Sequence, residues 1–293
     1  MISVVILTKN EAQDLPGCLE SVKWSDDVHV FDSYSNDDTA KIAARHGASV
    51  TQRKFDNFAS QRNAALHSLH YKHPWLLILD ADERVPPLLH DELREFVAEP
   101  DAGFAAGRLR RRDFLYGTWL KHAQLSPYYI RLVKPDRVQY EREVNEVLKV
   151  DGPIADLRQP FDHYPFSKGM KHWLDKHNLY SSMEAGLALK SRAGQTPFSI
   201  NKAFFTQDFN ERRYHQKELF YRLPFRPLVK FMMIYFLRLG LLDGRAGFTY
   251  ATLQSLYEYM IVLKTRELTT ATDQADASRR MALKAPLRSG QDA

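Results

Sequence analysis

The chain has 293 residues, 44% of them hydrophobic and 26% charged, with a formal charge of +5, an ordinary globular composition long enough for a substantial core plus an appendage. The single cysteine, Cys18, excludes an intramolecular disulfide and any cysteine-based zinc site, and fits a reducing cytosolic setting. The basic residues are not packed into one block, so the excess charge suits anionic phosphates or a membrane surface better than a nucleic acid.

Ile2 to Leu7 followed by Lys9 is too short an apolar run for a signal peptide, so the chain is expected to begin in its fold. Ser3 to Thr8 reads as a buried strand, Lys9-Asn10-Glu11 as a turn, and Leu15 to Val22 as a helix with Pro16 in its first turn. Val28 to Asp32 is a second strand ending in an acid. The cap-rich Ser33 to Thr39 then leads into a helix, closed by Gly47. Ala48 to Gln52 supplies a short strand, and Ala59 to Leu69 a helix carrying Gln61, Arg62 and Asn63.

Trp75-Leu76-Leu77-Ile78-Leu79 runs directly into Asp80-Ala81-Asp82. That is the pattern of a strand buried on both faces that delivers carboxylates to its C-terminal end, where α/β sheets bind ligands. Alternation along an extended strand would point Asp80 and Asp82 the same way, a pair of hard oxygen ligands for a divalent cation that also touches phosphate. A helix from Leu88 to Val97 follows Pro86 and Pro87. Strands alternating with helices predict a mostly parallel sheet with right-handed crossovers. Neither a dinucleotide-binding glycine fingerprint nor a P-loop is present, so a metal on the aspartates is expected to take over the phosphates.

The segments Ser3 to Glu11, Asp32 to Thr39, Gln61-Arg62-Asn63 and Leu79 to Glu83 stand in an order and spacing that resembles family 2 glycosyltransferases. The likeness is to bacterial lipopolysaccharide-core and polysaccharide enzymes of the WaaE type. It implies a GT-A fold, a nucleotide-sugar donor, Mg2+ or Mn2+, and inversion at the anomeric carbon. On that resemblance Thr8, Asn10 and Glu11 line the nucleoside pocket, Asp32 bonds the base or ribose, and Arg62 sits near the donor phosphates. Asp80 lies near the ribose or metal, and Asp82 on the metal. Arg131 keeps a family position and is assigned to phosphate. Val144-Asn145-Glu146 stands where relatives have Val-His-Glu, so Glu146 is the general base expected to take the acceptor proton, with Glu141 and Glu143 as competitors. His163 matches a late family histidine and is a third metal candidate. Leu125 to Tyr129 departs from the family pattern, and donor sugar, donor base and acceptor stay open.

The expected layout is a catalytic domain over residues 1–165, with a nucleotide half (1–100) and an acceptor half (101–165), a helical annex over 166–266, and a disordered polar tail over 267–293. In the annex, helices are expected at Lys168 to Lys190, Asn201 to Glu218, Leu228 to Leu239 and Phe248 to Leu263, with a glycine-rich turn before the last. Aromatic and apolar residues from Phe225 to Phe236 among Arg222, Arg226, Lys230, Arg238 and Arg245 suit a helical hairpin in the headgroup layer. A cap on the catalytic domain or a dimer interface is the alternative. The functional expectation is transfer of a sugar to a lipid-linked saccharide at the cytoplasmic face of the bacterial inner membrane, by a peripheral enzyme, monomeric or homo-oligomeric. The rivals are a nucleotidyltransferase and a catalytically silent glycan- or membrane-binding module.

Overall fold

Strands that are apolar along nearly their whole length can be buried on both faces, and Ser3–Thr8 and Leu76–Asp80 are such strands. A computed structural model describes residues 1–99, 103–141, 147–193 and 198–284. Its contacts divide the chain into two units, Met1–Met170 and Lys171–Ala293, so the division falls beyond the residue 165 expected from sequence.

The first unit opens with β1 (Ser3–Thr8), α1 (Leu15–Ser21), β2 (Val28–Asp32), α2 (Thr39–Arg45), β3 (Ser49–Gln52), α3 (Phe58–Ser68) and β4 (Leu76–Asp80). β5 (Glu83–Arg84), α4 (Pro87–Ala98), β6 (Ala106–Leu115), β7 (Thr118–Trp119) and β8 (Tyr128–Val133) follow. The unit continues with β9 (Val138–Glu141), β10 (Val147–Val150), β11 (Ile154–Asp156) and β12 (Phe161–His163). The main sheet has the order β3-β2-β1-β4-β8-β6-β12-β5. β3, β2, β1 and β4 are mutually parallel, while β8 runs antiparallel to β4 and to β6.

Alternation along each strand sends side chains to opposite layers. Val4, Ile6, Leu77 and Leu79 pack with Leu15, Cys18, Leu19, Leu89 and Leu93 of α1 and α4 on one face. Val5, Leu76 and Ile78 pack with Ala59, Ala65 and Leu66 of α3 on the other. At about 1.5 to 3 kcal/mol for each fully buried aliphatic side chain, these two layers dominate the fold's stability. Because β1 lies between β2 and β4, Thr8 aligns with Asp32 and Leu7 with Asp80. The carboxyl ends of three strands thus meet at the point where chain order reverses, which is the ligand crevice of an open parallel sheet.

The second unit is helical: α5 (Gly169–Ala193, its first residues still in the first unit), α6 (Ile200–Phe205), α7 (Phe209–Arg222), α8 (Arg226–Met232) and α9 (Gly244–Lys284). The one helix expected from Asn201 to Glu218 is broken into α6 and α7, because Asp208 caps a new start by accepting from the Glu211 N–H at 2.8 Å. A π turn (Met233–Leu237) and a 3-10 turn (Gly240–Asp243) join α8 to α9. Gly247 is required there, since a Cβ would lie 1.9 Å from the Gly240 carbonyl oxygen. Lys264 ties α9 to α5 through Asn178, Ser181 and Ser182. The expected tail is corrected in part: residues 267–284 continue α9, and 285–293 lie outside the described residues. Among the described residues no helix is long and apolar enough to cross a membrane.

Candidate active site

The loops after β1 and β2 are joined by side chains that sequence singled out. Thr8 Oγ1 donates to Asp32 at 2.9 Å, and Asp32 also accepts from the Ser35 N–H at 2.8 Å, Ser35 Oγ at 2.5 Å and Gln52 Nε2 at 2.9 Å. Burial opposes ionisation of Asp32, but these donors outweigh it and hold its pKa below the usual carboxylate value. Asp32 is fully buried. Its contacts fasten the turn from within. Asn10 takes a left-handed conformation (φ 55°) and accepts from the Asn36 N–H at 2.9 Å, while its own N–H donates to Ser35 Oγ at 2.7 Å. That pairing of the two loops repays the backbone strain of a positive φ. Glu11 donates its N–H to Thr39 Oγ1 and accepts from Lys168 Nζ at 2.5 Å. Burial raises its carboxyl to about 7, against the opposing Lys168.

At the end of β4 the two aspartates have different neighbours. Asp80 is met by Arg62 at 3.3 Å and by Arg131 at 2.9 Å. Burial works against its charge, but the two guanidiniums outweigh that and hold its pKa well below the usual range. Arg131 is buried and also pairs with Glu83. It fastens the β4–β5 corner to β8. Arg62 lies over the Tyr140 ring, 5.5 Å from its centroid.

Asp82 meets the end of β12. Its Oδ2 lies 3.2 Å from His163 Nε2, and its carbonyl accepts from the Tyr164 N–H at 2.9 Å. His163 Nδ1 meets Asp113. Burial by itself would lower the His163 pKa, but the hydrogen bonds to Asp113 and Asp82 outweigh it and raise it to about 9. Two ligands of an octahedral Mg2+ at about 2.1 Å stand roughly 3 Å apart when adjacent. The Asp82–His163 separation is thus compatible with a shared cation. Among the described residues no group of three or more His, Cys, Asp or Glu side chains could hold a metal. Asp80, the other aspartate expected to serve a cation, is engaged by two arginines. Two protein ligands would leave the remaining positions to donor oxygens and water, as Mg2+ at phosphate sites prefers.

Glu146, the expected general base, lies outside the described residues, as does Glu143; the competitor Glu141 is described and bonds Lys149 at 2.6 Å. Sequence reasoning missed Glu83, Asp113 and Lys168. Asp113 was detectable in principle, since it shares a strand face with buried Leu109 and Leu115. Cys18 is buried, and burial drives its thiol pKa up strongly, so it is an inert core residue and no nucleophile.

The glycosyl transferase family 2 model matches residues 3–150. An uncharacterized glycosyltransferase of Rickettsia felis is 40% identical over 229 residues, covering 73% of this chain and 80% of its own. The lipopolysaccharide core biosynthesis glycosyltransferase LpsC of Rhizobium meliloti is 25% identical over 272 residues, 90% of this chain and 91% of its own. Among solved structures, the mannosyltransferase PcManGT of Pyrobaculum calidifontis in complex with GDP-Man and Mn2+ superposes with a TM-score of 0.51 at 16% identity. The alignment covers 90% of this chain and 86% of that one, which shows a common GT-A-like α/β fold.

Proposed function

The chain belongs to glycosyl transferase family 2, and from that premise we propose that it is an inverting, divalent-metal-dependent transferase. It moves a sugar from a nucleoside diphosphate to a lipid-linked saccharide of the cell envelope. The observation that carries this reading is the convergence of Asp82 Oδ2 and His163 Nε2 to 3.2 Å at the end of β4, beside the loops after β1 and β2.

In this reading the β1–α1 and β2–α2 loops, with Thr8, Asn10 and Glu11, bound the nucleoside pocket, and Asp32 keeps those loops in place. Asp82 and His163 would hold Mg2+ or Mn2+, which supplies charge stabilisation to the departing diphosphate. Asp80 lies beside them, oriented by Arg62 and Arg131. Transfer is one displacement: the acceptor oxygen bonds to the anomeric carbon, the bond from that carbon to the phosphate oxygen breaks, and the acceptor proton passes to a base. Glu146 is assigned that base by the family resemblance.

The lipid-linked acceptor and the peripheral site on the cytoplasmic membrane face rest on two supports. LpsC acts in lipopolysaccharide core synthesis by its description. The second unit also displays Phe225, Leu228, Met232, Phe236, Leu237 and Leu239 to solvent, with Arg222 and Arg245 exposed beside them. Exposed apolar residues flanked by arginines match an anionic headgroup layer over an acyl boundary. Next to them lies an open cavity of about 930 Å3, lined by Leu223, Phe225, Arg226, Leu228, Tyr259 and Arg266 among others.

The test is a panel of sugar nucleotides and nucleoside diphosphates in thermal-shift assays with and without MnCl2. A cognate donor raises the melting temperature by mass action, and it does so in a metal-dependent way. Radiolabelled transfer from that donor to lipid extract then identifies the acceptor. A panel in which no nucleotide stabilises the protein in either condition would overturn the proposal.

A further inference from the structure

β12 lies between β6 and β5. Its register sets His163 opposite Asp113 on one side and opposite Glu83 on the other. Backbone pairing therefore places the imidazole before any side-chain bond is made, and what remains free is the rotation of the ring. The two ring nitrogens have different partners: Nδ1 meets Asp113, and Nε2 faces Asp82.

Asp113 is 2% exposed, and a buried carboxylate is costly unless paired. It is paired twice, with His163 Nδ1 and with Arg111 Nε at 3.0 Å. Arg111 balances the carboxylate's charge, so the hydrogen bond to His163 is available for orientation. The neighbouring register pair differs. Asp162 on β12 bonds Arg112 on β6 at 2.6 Å, a link between the same two strands that leaves His163 untouched. Strand cohesion alone therefore does not account for Asp113.

A carboxylate on one imidazole nitrogen fixes the ring and makes the opposite nitrogen the more basic ligand. We propose that Asp113 is the positioning residue of the cation site. It holds His163 by Nδ1 with Nε2 turned to Asp82, so that both can grip one divalent ion. The assignment rests on the metal-dependent reading above and deepens it, since it names what keeps the site in shape before donor arrives.

The experiment is titration of the full chain with MnCl2 alone, followed by the EPR signal of the free aqua ion, for wild type, Asp113→Asn, His163→Ala and Asp82→Ala. Asp113→Asn should weaken Mn2+ binding about 10- to 100-fold, with a far-ultraviolet circular dichroism spectrum like that of wild type. Asp113→Glu should recover part of the loss. If Asp113→Asn binds Mn2+ as tightly as wild type while His163→Ala and Asp82→Ala lose it, the positioning role is overturned and the metal reading stands. If none of the three loses affinity, the metal reading fails and this inference with it. Should Asp113→Asn not fold, 15N NMR of wild-type imidazoles during a MgCl2 titration decides. The proton must stay on Nδ1 of His163 and leave Nε2, and the opposite tautomer overturns the proposal.

Discussion

Glu83 and Arg131 form an ion pair that solvent barely reaches, with Glu83 1% and Arg131 6% exposed. The same guanidinium bonds Asp80, whose N–H in turn donates to Glu83 Oε2 at 3.0 Å. One arginine on β8 therefore serves two carboxylates and closes the β4–β5 corner that carries Asp82. Burial raises the Glu83 carboxyl to about 7 even against Arg131. Removing that partner leaves an uncompensated buried acid, so Arg131→Met should lower unfolding stability by about 3 to 5 kcal/mol in urea titrations. Arg131→Lys should recover less than half of this, because a single nitrogen, Nη2, meets both carboxylates and the shorter lysine side chain does not carry its ammonium to that position.

The half of the fold that ends at Ala98 is legible in sequence for a physical reason. Val4 to Leu7 and Leu76 to Leu79 must be apolar at every position to be buried on both faces, and no helix of a soluble surface has that pattern. The strands from Ala106 to His163 are harder to read. β6 is Ala-Gly-Arg-Leu-Arg-Arg-Arg-Asp-Phe-Leu, and its arginines hide an alternation in which Leu109, Asp113 and Leu115 face inward. Asp80 and Asp82 were visible as a pair, but their different partners were not, because these are Arg62 from α3, Arg131 from β8 and His163 from β12. Such contacts have no local signature. The continuation of α9 through residues 267–284 was missed because it has no apolar face, although Ala, Arg, Met and Leu in that stretch are good helix formers.

If Asp82 and His163 hold the cation, chelation and mutation should have the same effect. EDTA should abolish transfer, and excess MnCl2 should restore it. Asp82→Ala should lower kcat/KM by about a hundred- to a thousandfold, the loss of several kcal/mol of charge stabilisation on the leaving diphosphate. Transfer by Asp82→Ala at the wild-type rate, measured as release of nucleoside diphosphate, would remove the basis for metal assistance.

Glu11 should mark the pH dependence of stability. Burial lifts its carboxyl to about 7 in the fold from an ordinary 4.5, so between those values the native state binds more protons than the unfolded chain. Stability from this group is then fully present below about pH 4.5 and is lost as the pH rises through 7. The full shift corresponds to at most about 3 kcal/mol. Glu11→Gln cannot lose a proton. The fall in unfolding free energy between pH 5 and pH 8 should therefore be smaller in Glu11→Gln than in wild type, by about 2 kcal/mol. Equal falls in the two proteins would show that Glu11 ionises normally.

Phe225 and Leu237 are each 80% exposed, and Phe225 is held in a left-handed conformation (φ 54°) at the start of α8. A bulky residue in that conformation is strained, and its ring is nevertheless given to solvent. Both facts fit a side chain whose partner is the membrane. Burying one such side chain is worth about 1.5 to 3 kcal/mol, and each basic residue near an anionic surface adds about 1 kcal/mol. Phe225→Ser with Leu237→Ser should therefore weaken flotation with phosphatidylglycerol-containing vesicles by more than about tenfold at any salt concentration. Arg222→Ala with Arg245→Ala should weaken it mainly at low salt, where surface charge is least screened. Flotation that both pairs leave unchanged would assign the apolar surface to contact between copies of the chain, which sedimentation of the same double serine variant would then detect as a loss of dimer.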